Sequence, residues 1–443
     1  MRVLCCCNVN IDSVCAISGA KITDYIERNG LGAKIEHLIK NPPETISEIS
    51  DLLALLLRHM ERGIGGEFLV ETSDAVPEPV ILSLMKEEPV LRLGGNAGIA
   101  ADVLSNLGAS LVIPNVACPS SRQADLFSGD VIRIPAYKNS KLILLKPKDA
   151  VGCKEDALHH VFDFKKGDKV TLRARTISAP KNNRIIATYD PKNISLYMDD
   201  AFRDYSLSHI KEIDGALISG FHLLRNTYPD GSTYIDCLQP ILEHFRRWKS
   251  ANPDLRIHFE LGDFLDSGIT DFVISSISDI VDSIGMNEEE FLGDDADISA
   301  RNIIERSVRS IDGLGISRLC IHTRDFIVSV FDPAYIDARS EIEALNFGAS
   351  ASGALAMSGH VDIGSANDAI ESLPQSDAGV RECSMVQEHF HGERIGSGVY
   401  LQLNGYLVCV VPSLSCESPV TTVGMGDTMT AGVFLRELEH RPT

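Results

Sequence analysis

Strand-like runs alternate with amphipathic helical ones along most of this chain, and that alternation restricts its fold more than any other feature. RVLCCCNV is followed by SEISDLLALLLRHMERG, GALISG by YIDCLQPILEHFRRWK, and LRIHFEL precedes SRLCIHT. Such an order predicts an α/β fold, in which a mostly parallel sheet is covered by helices on both faces. Between about 128 and 190 the texture changes to short apolar segments, DVIRIPAY, KLILLK, DKVTLRA and RIIATY, punctuated by Gly, Pro and Asn. These read as antiparallel strands. No internal repeat or low-complexity tract interrupts the pattern.

Charge narrows the range of partners. Sixty-two acidic against 41 basic residues leave a formal charge of -21, which repels nucleic acid and anionic membrane. Any anionic ligand therefore has to be met by backbone N–H groups, a metal ion and a few local cations. No apolar stretch reaches the roughly 18 residues of a membrane span, and the apolar start is cut short by Asn8 and Asp12, so a soluble, cytoplasmic chain is expected. Eleven cysteines are scattered without a metal-site spacing, which suits reduced thiols; Cys5, Cys6 and Cys7 read as small hydrophobes of a buried first strand.

Three glycine or amide elements can carry chemistry. In TVGMGDTMTAGVF, Gly424 and Gly426 precede a helical run, placing free N–H groups at a helix start where phosphate binds. Asp427 there can take a proton from an attacking hydroxyl or hold a metal; a turn with an N-capping aspartate gives the same tetrapeptide. In RLGGNAGIAADVLSNLGA, Gly94, Gly95 and Asn96 join a strand to a helix whose stripe is Ala100, Val103, Leu104 and Leu107. They bring backbone close to a small polar ligand, or merely pack strand on helix. Asn10 and Asp12 in NVNID share one side of a strand and suit sugar hydroxyls, although an Asx turn explains them too.

Carboxylates form the second group. His258 and Glu260 in LRIHFELGD share a strand face, with Glu260 near the strand's carboxyl end, where open α/β sheets bind ligands. Asn287 and Glu290 in SIGMNEEEF lie three apart, on one side of a helical turn. Two carboxylates and an amide near a phosphate site suit Mg2+, a hard cation that retains waters. Singly, Glu288 to Glu290 also read as a solvated helix start and His258 as a satisfied buried histidine. LGDDADIS reads as a loop leading into a capped helix.

NVNID, ERGIGGE, GGNAGIAAD, HHVFDF, NNRIIATYD, HFE, NEEE, IHTRDF and VTTVGMGD, in this order over essentially the whole chain, resemble the ADP-dependent sugar kinases (glucokinase and 6-phosphofructokinase) of the ribokinase superfamily. The resemblance implies a ribokinase-like, Rossmann-type core (about 1–11, 33–63, 97–154 and 191–443) and a smaller β-rich lid (about 12–32, 64–96 and 155–190). It implies that ADP gives its β-phosphoryl group to a sugar or sugar phosphate, releasing AMP, with magnesium and with Asp427 as base. Metal-site carboxylates would be Glu260 and Glu290, with Asn287 beside them. Sugar contacts would be Asn10, Asp12, Glu67, Gly94, Gly95, Asn96 and His159. Arg184 would meet the nucleotide phosphates, and His322 and Cys416 would lie near the adenosine.

An acid at the position of Glu67 implies glucose as acceptor, while Lys181, Arg173 and Arg175 could grip the 6-phosphate of fructose 6-phosphate or be solvated strand-edge charges. An ATP-dependent kinase of the same superfamily, or a sugar- and nucleotide-binding regulator without turnover, are the competing readings. Asp102 departs from the uncharged polar residue common on its helix, and 333–395 matches weakly and is expected to supply only core helices and loops.

Overall fold

The structure, a computed structural model, describes residues 1–441 except 265 and 294–296, and the chain forms two compact units. The first comprises Met1–Val9, Gly95–Gly152 and Lys192–Thr443; the second comprises Asn10–Gly94 and Cys153–Pro191.

A ten-stranded sheet runs through the first unit. Leu111–Pro114, Arg2–Cys6, Gly215–Ile218, Arg256–Glu260, Ser283–Asn287 and Arg318–His322 lie side by side in parallel. Phe326–Phe331, Tyr406–Pro412, Gly398–Leu403 and Glu393–Ile395 continue it in antiparallel pairing. Connection length decides the change of direction. Only residues 323–325 separate Arg318–His322 from Phe326–Phe331, too few for the crossover a parallel neighbour needs. The parallel strands are near-continuous apolar runs, as sheets covered on both faces require; Val3, Leu4 and Cys5 are wholly buried.

One expectation changes here. Cys6 and Cys7 are bonded to each other through their sulfurs, because two neighbours at the end of one buried strand meet locally, a case that spacing arguments over scattered cysteines do not weigh. The segment 333–395 supplies core helices as expected: helix Ala338–Ser358 lies against helix Met425–Glu439 so closely that a Cβ on Gly432 would sit 3.0 Å from the Gly348 Cα. The small residues of GASASGALA permit that approach. Ser299 caps helix Ala300–Leu314 as the LGDDADIS reading expects, while residues 294–296 of that stretch lie outside the described residues.

The second unit is built on a five-stranded sheet ordered Gly66–Leu69, Asn183–Tyr189, Leu158–Phe164, Asn10–Ala16 and Val90–Gly94. Lys169–Leu172 and Arg175–Ser178 add a separate antiparallel hairpin. Segment 33–63, expected in the α/β core, belongs to this unit instead. The reason is its helix Ile49–Arg62, in which Leu52 to Leu57 are all buried. Six consecutive buried apolar residues cover more than one full turn and need packing nearly all round, which they find among Ile22, Ile35, Phe162 and Ile185 of the same unit.

Candidate active site

Gly424 opens helix Met425–Glu439 with φ +76°, a left-handed conformation that residues with a Cβ rarely adopt. Chain direction turns there, so the N–H groups of the first helical turn point off the helix end, where its dipole favours an anion. Asp427 stands in that first turn. Its Oδ1 accepts a 2.7 Å hydrogen bond from Nδ2 of Asn96, the first residue of helix Asn96–Asn106. Asn96, expected to touch sugar, thus fixes the orientation of the candidate base. Gly95, with φ +74°, caps the start of that helix, and Gly426 faces His322, whose Cε1 would be 3.2 Å from a Cβ at this position.

Glu260 ends its strand almost buried yet surrounded by donors. His322 Nε2 lies 3.0 Å from its Oε1, while His258 Nε2 at 3.1 Å and Thr430 Oγ1 at 3.0 Å reach Oε2. Burial alone would raise this carboxyl; the hydrogen bonds from His258 and His322 reverse the effect and hold it at about 2. Glu260 is therefore a fixed anion. The same contact raises His322, although burial pulls the other way, whereas burial keeps His258 low and neutral.

Asn287 and Glu290 form a reciprocal capping box: Glu290 N donates to Asn287 Oδ1 at 2.8 Å and Asn287 N donates to Glu290 Oε2 at 2.9 Å. Burial, with the Glu260 charge adding to it, pushes Glu290 up to about 7. Among the described residues no three His, Cys, Asp or Glu side chains are grouped as metal ligands. Both Glu260 oxygens already accept protein donors. This donor set fits a hydrated magnesium ion, which Glu260 and Glu290 would hold through its waters.

In the second unit Asn10 and Asp12 lie on one strand face, and Asn10 Nδ2 donates to Asp12 Oδ1 at 2.7 Å. Asn10 Oδ1 is buried without a partner among the described residues, ready for a hydroxyl donor. Gly94 pairs with Asn10 across the ladder, and any Cβ there would land on the Asp12 carboxylate. His159 lies between two acids, with Nε2 3.2 Å from Asp190 Oδ2 and Nδ1 3.6 Å from Glu67 Oε1. Burial disfavours its charge, but Asp190 and Glu67 overcome this and raise its pKa. Burial also raises Asp12, against the opposing pull of His159 and Asn10. Thr188 Oγ1 donates to Glu67.

The remaining expected residues are dispersed. Arg184 belongs to the second unit, opposite Asp163 in the sheet, whose carboxyl burial raises against the opposing pull of Arg184. His322 lines a cavity of about 260 Å³ together with Gly426, Met425, Ser352 and Gly353. Cys416, a half-buried free thiol, follows the last strand, two residues after Leu414, which lines that cavity. Arg173 and Arg175 are paired with Glu36 and Glu61 on the surface of the second unit. Asp102 accepts from Ser128 N, Ser128 Oγ and Gly129 N, so its charge holds a loop. Three site residues escaped the sequence: Asp190, closing NNRIIATYD; Thr430, one helical turn after Asp427; and Ser352, within the unassigned segment. Only Thr430, at i+3 from Asp427, had a readable signal.

A family description for the ADP-specific phosphofructokinase/glucokinase conserved region matches residues 1–436. The chain belongs to this family. It is a kinase that transfers a phosphoryl group to a sugar hydroxyl. This kinase is similar to an ADP-specific phosphofructokinase of Methanosarcina acetivorans, 26% identical over 466 residues that cover 97% of this chain and 92% of that one. It is equally similar to the ADP-dependent glucose/glucosamine kinase of Pyrococcus furiosus, 26% identical over 441 residues with 97% and 92% covered. Its fold matches that of an ADP-dependent kinase in complex with fructose-6-phosphate and ADPβS, with a TM-score of 0.81 at 23% identity over 98% of this chain and 93% of that one.

Proposed function

We propose that the kinase passes the β-phosphoryl group of ADP to glucose or fructose 6-phosphate, releasing AMP, with Asp427 as general base. The Asn96–Asp427 hydrogen bond carries this reading: it holds a carboxylate at a glycine-opened helix N-terminus in a set orientation. N–H groups of the first turn receive phosphate oxygens. Glu260 and Glu290 hold magnesium through water, and the ion, when bound, neutralises charge on the transferring group. Asn10, Asp12, Glu67, Gly94 and His159 receive the sugar, and the cavity beside His322 and Gly426 receives the nucleotide.

The test supplies purified protein with magnesium and ADP, offers glucose and fructose 6-phosphate in parallel, and reads AMP. Asp427→Ala is expected to lower kcat by roughly 10²- to 10⁴-fold, the usual worth of a positioned base, with KM for the sugar little changed. An unchanged kcat removes Asp427 from the reaction, and ADP formed from ATP in place of AMP from ADP overturns the donor.

A further inference from the structure

His258 and Ser283 face each other across neighbouring parallel strands, and Ser283 faces Arg318 across the next pair. Two residues along the same strand as His258 stands Glu260, on the same face. One buried row of polar side chains therefore crosses the sheet just beneath the site. Arg318 Nη1 donates to Ser283 Oγ at 3.1 Å, Ser283 Oγ lies 2.9 Å from His258 Nδ1, and His258 Nε2 lies 3.1 Å from Glu260 Oε2. Arg318 is itself held by Glu341 and Glu437 at 2.8 and 2.7 Å, and nothing in this row is more than 6% exposed.

Proton direction along the row follows from donor chemistry. A guanidinium has no acceptor, so Ser283 Oγ must accept from Arg318 and turn its own hydrogen elsewhere. The atom within reach is His258 Nδ1, which must then be the bare ring nitrogen. Nε2 consequently carries the ring hydrogen and donates to Glu260. Gly285 keeps the space clear, since a Cβ there would strike both the Glu260 carboxylate and the His258 ring.

We infer that Arg318, acting through Ser283, fixes the His258 tautomer and thereby the orientation of the Glu260 carboxylate, making Ser283 and Arg318 positioning residues for the magnesium-anchoring acid. Neither residue touches a substrate. The inference rests on the reading of Glu260 as that anchor, and its tests separate the two.

The first test is spectroscopic and independent of turnover. In protein labelled with ¹⁵N-histidine, the His258 ring should show a protonated Nε2 and a bare Nδ1; the opposite tautomer overturns the relay. Ser283→Ala should let the two tautomers mix and raise the magnesium concentration for half-maximal rate about 10- to 100-fold, the range for losing an outer partner of a metal site, with the sugar KM unmoved. Ser283→Thr, which restores the hydroxyl on a strand that tolerates β-branching, should recover the wild-type value. A Ser283→Ala protein with wild-type magnesium dependence, or a folded Ser283→Thr protein that fails to recover it, overturns the proposal. Should Ser283→Ala not fold, Ser283→Cys, a weak donor and acceptor of similar size, takes its place with an intermediate shift expected and no shift overturning it. Glu260→Gln distinguishes the layers: if it leaves magnesium dependence unchanged the anchor reading fails, whereas a shift in Glu260→Gln without one in Ser283→Ala sinks the relay alone.

Discussion

Glu260 in the first unit and Asp12 in the second are acids of nearly equal burial, 6% and 8% exposed, yet their environments push them in opposite directions. Burial is the largest influence on each and raises both. The outcome turns on how many donors are in contact. Glu260 receives two imidazoles and a threonine hydroxyl and falls to about 2; Asp12 receives the single amide of Asn10, feels His159 only as a nearby charge, and rises. A carboxylate saturated by its own protein is a permanent anion, suited to anchoring a hydrated cation. One left short of donors gains when a ligand brings hydroxyls, which suits sugar recognition.

Removing Glu260 gives the largest expected effect. Glu260→Leu leaves His258, His322 and Thr430 without their common acceptor in a buried setting, for a loss of about 3 kcal/mol or more in urea unfolding. A change below about 1 kcal/mol would mean that the three donors are satisfied elsewhere and that the contrast with Asp12 is false. Gly285→Ala comes next. Its methyl group collides with the same carboxylate and with His258, so a loss of about 1–3 kcal/mol is expected, together with weaker magnesium activation. An alanine protein of full stability and unaltered magnesium response would show that the row of side chains has slack.

Most of the first unit was legible because its strands and helices alternate and its parallel strands are rich in apolar residues. What escaped was set by connection length and by packing in three dimensions. The three-residue link after His322 turns the sheet antiparallel, and nothing in the apolar periodicity of Phe326–Phe331 announces this. Helix Ile49–Arg62 reads equally well as a core helix or a lid helix, since periodicity tells that a face is buried but not against what. In the site, Asp427, Glu260 and Glu290 stood out as acids beside glycines or at strand ends. Ser283 and Arg318 did not, because a lone hydroxyl in DSIGMN and a lone cation in SRLCIHT acquire meaning only when neighbouring strands are in register. Asn96 was visible as a site residue, but its partner Asp427 is 331 residues away, and that separation no local pattern can bridge.

Asp12→Asn sharpens the comparison from the other side. Since burial already disfavours the charged form, the neutral amide should change stability by less than about 1 kcal/mol, while the sugar KM rises because an acceptor oxygen is lost. A destabilisation as large as that of Glu260→Leu would erase the distinction between saturated and unsaturated acids.

The smallest effect belongs to His159, and its sign can be worked out. Asp190 and Glu67 raise the folded pKa of His159 above its ordinary value of 6.5 despite burial. In the window above 6.5 the native protein then binds the proton that the unfolded chain has released, so stability falls as pH rises. The contribution is fully present below 6.5 and is lost as pH climbs through the folded value. His159→Gln retains an amide for Asp190 but cannot titrate, so its unfolding midpoint should vary less between pH 6.5 and 8.5 than that of the wild type. Equal slopes for the two proteins would mean that His159 is neutral throughout, leaving Glu67 and Asp190 facing each other with no cation between them. The second unit's cluster would then be held by hydrogen bonds alone, and its contrast with the saturated Glu260 site would be wider still.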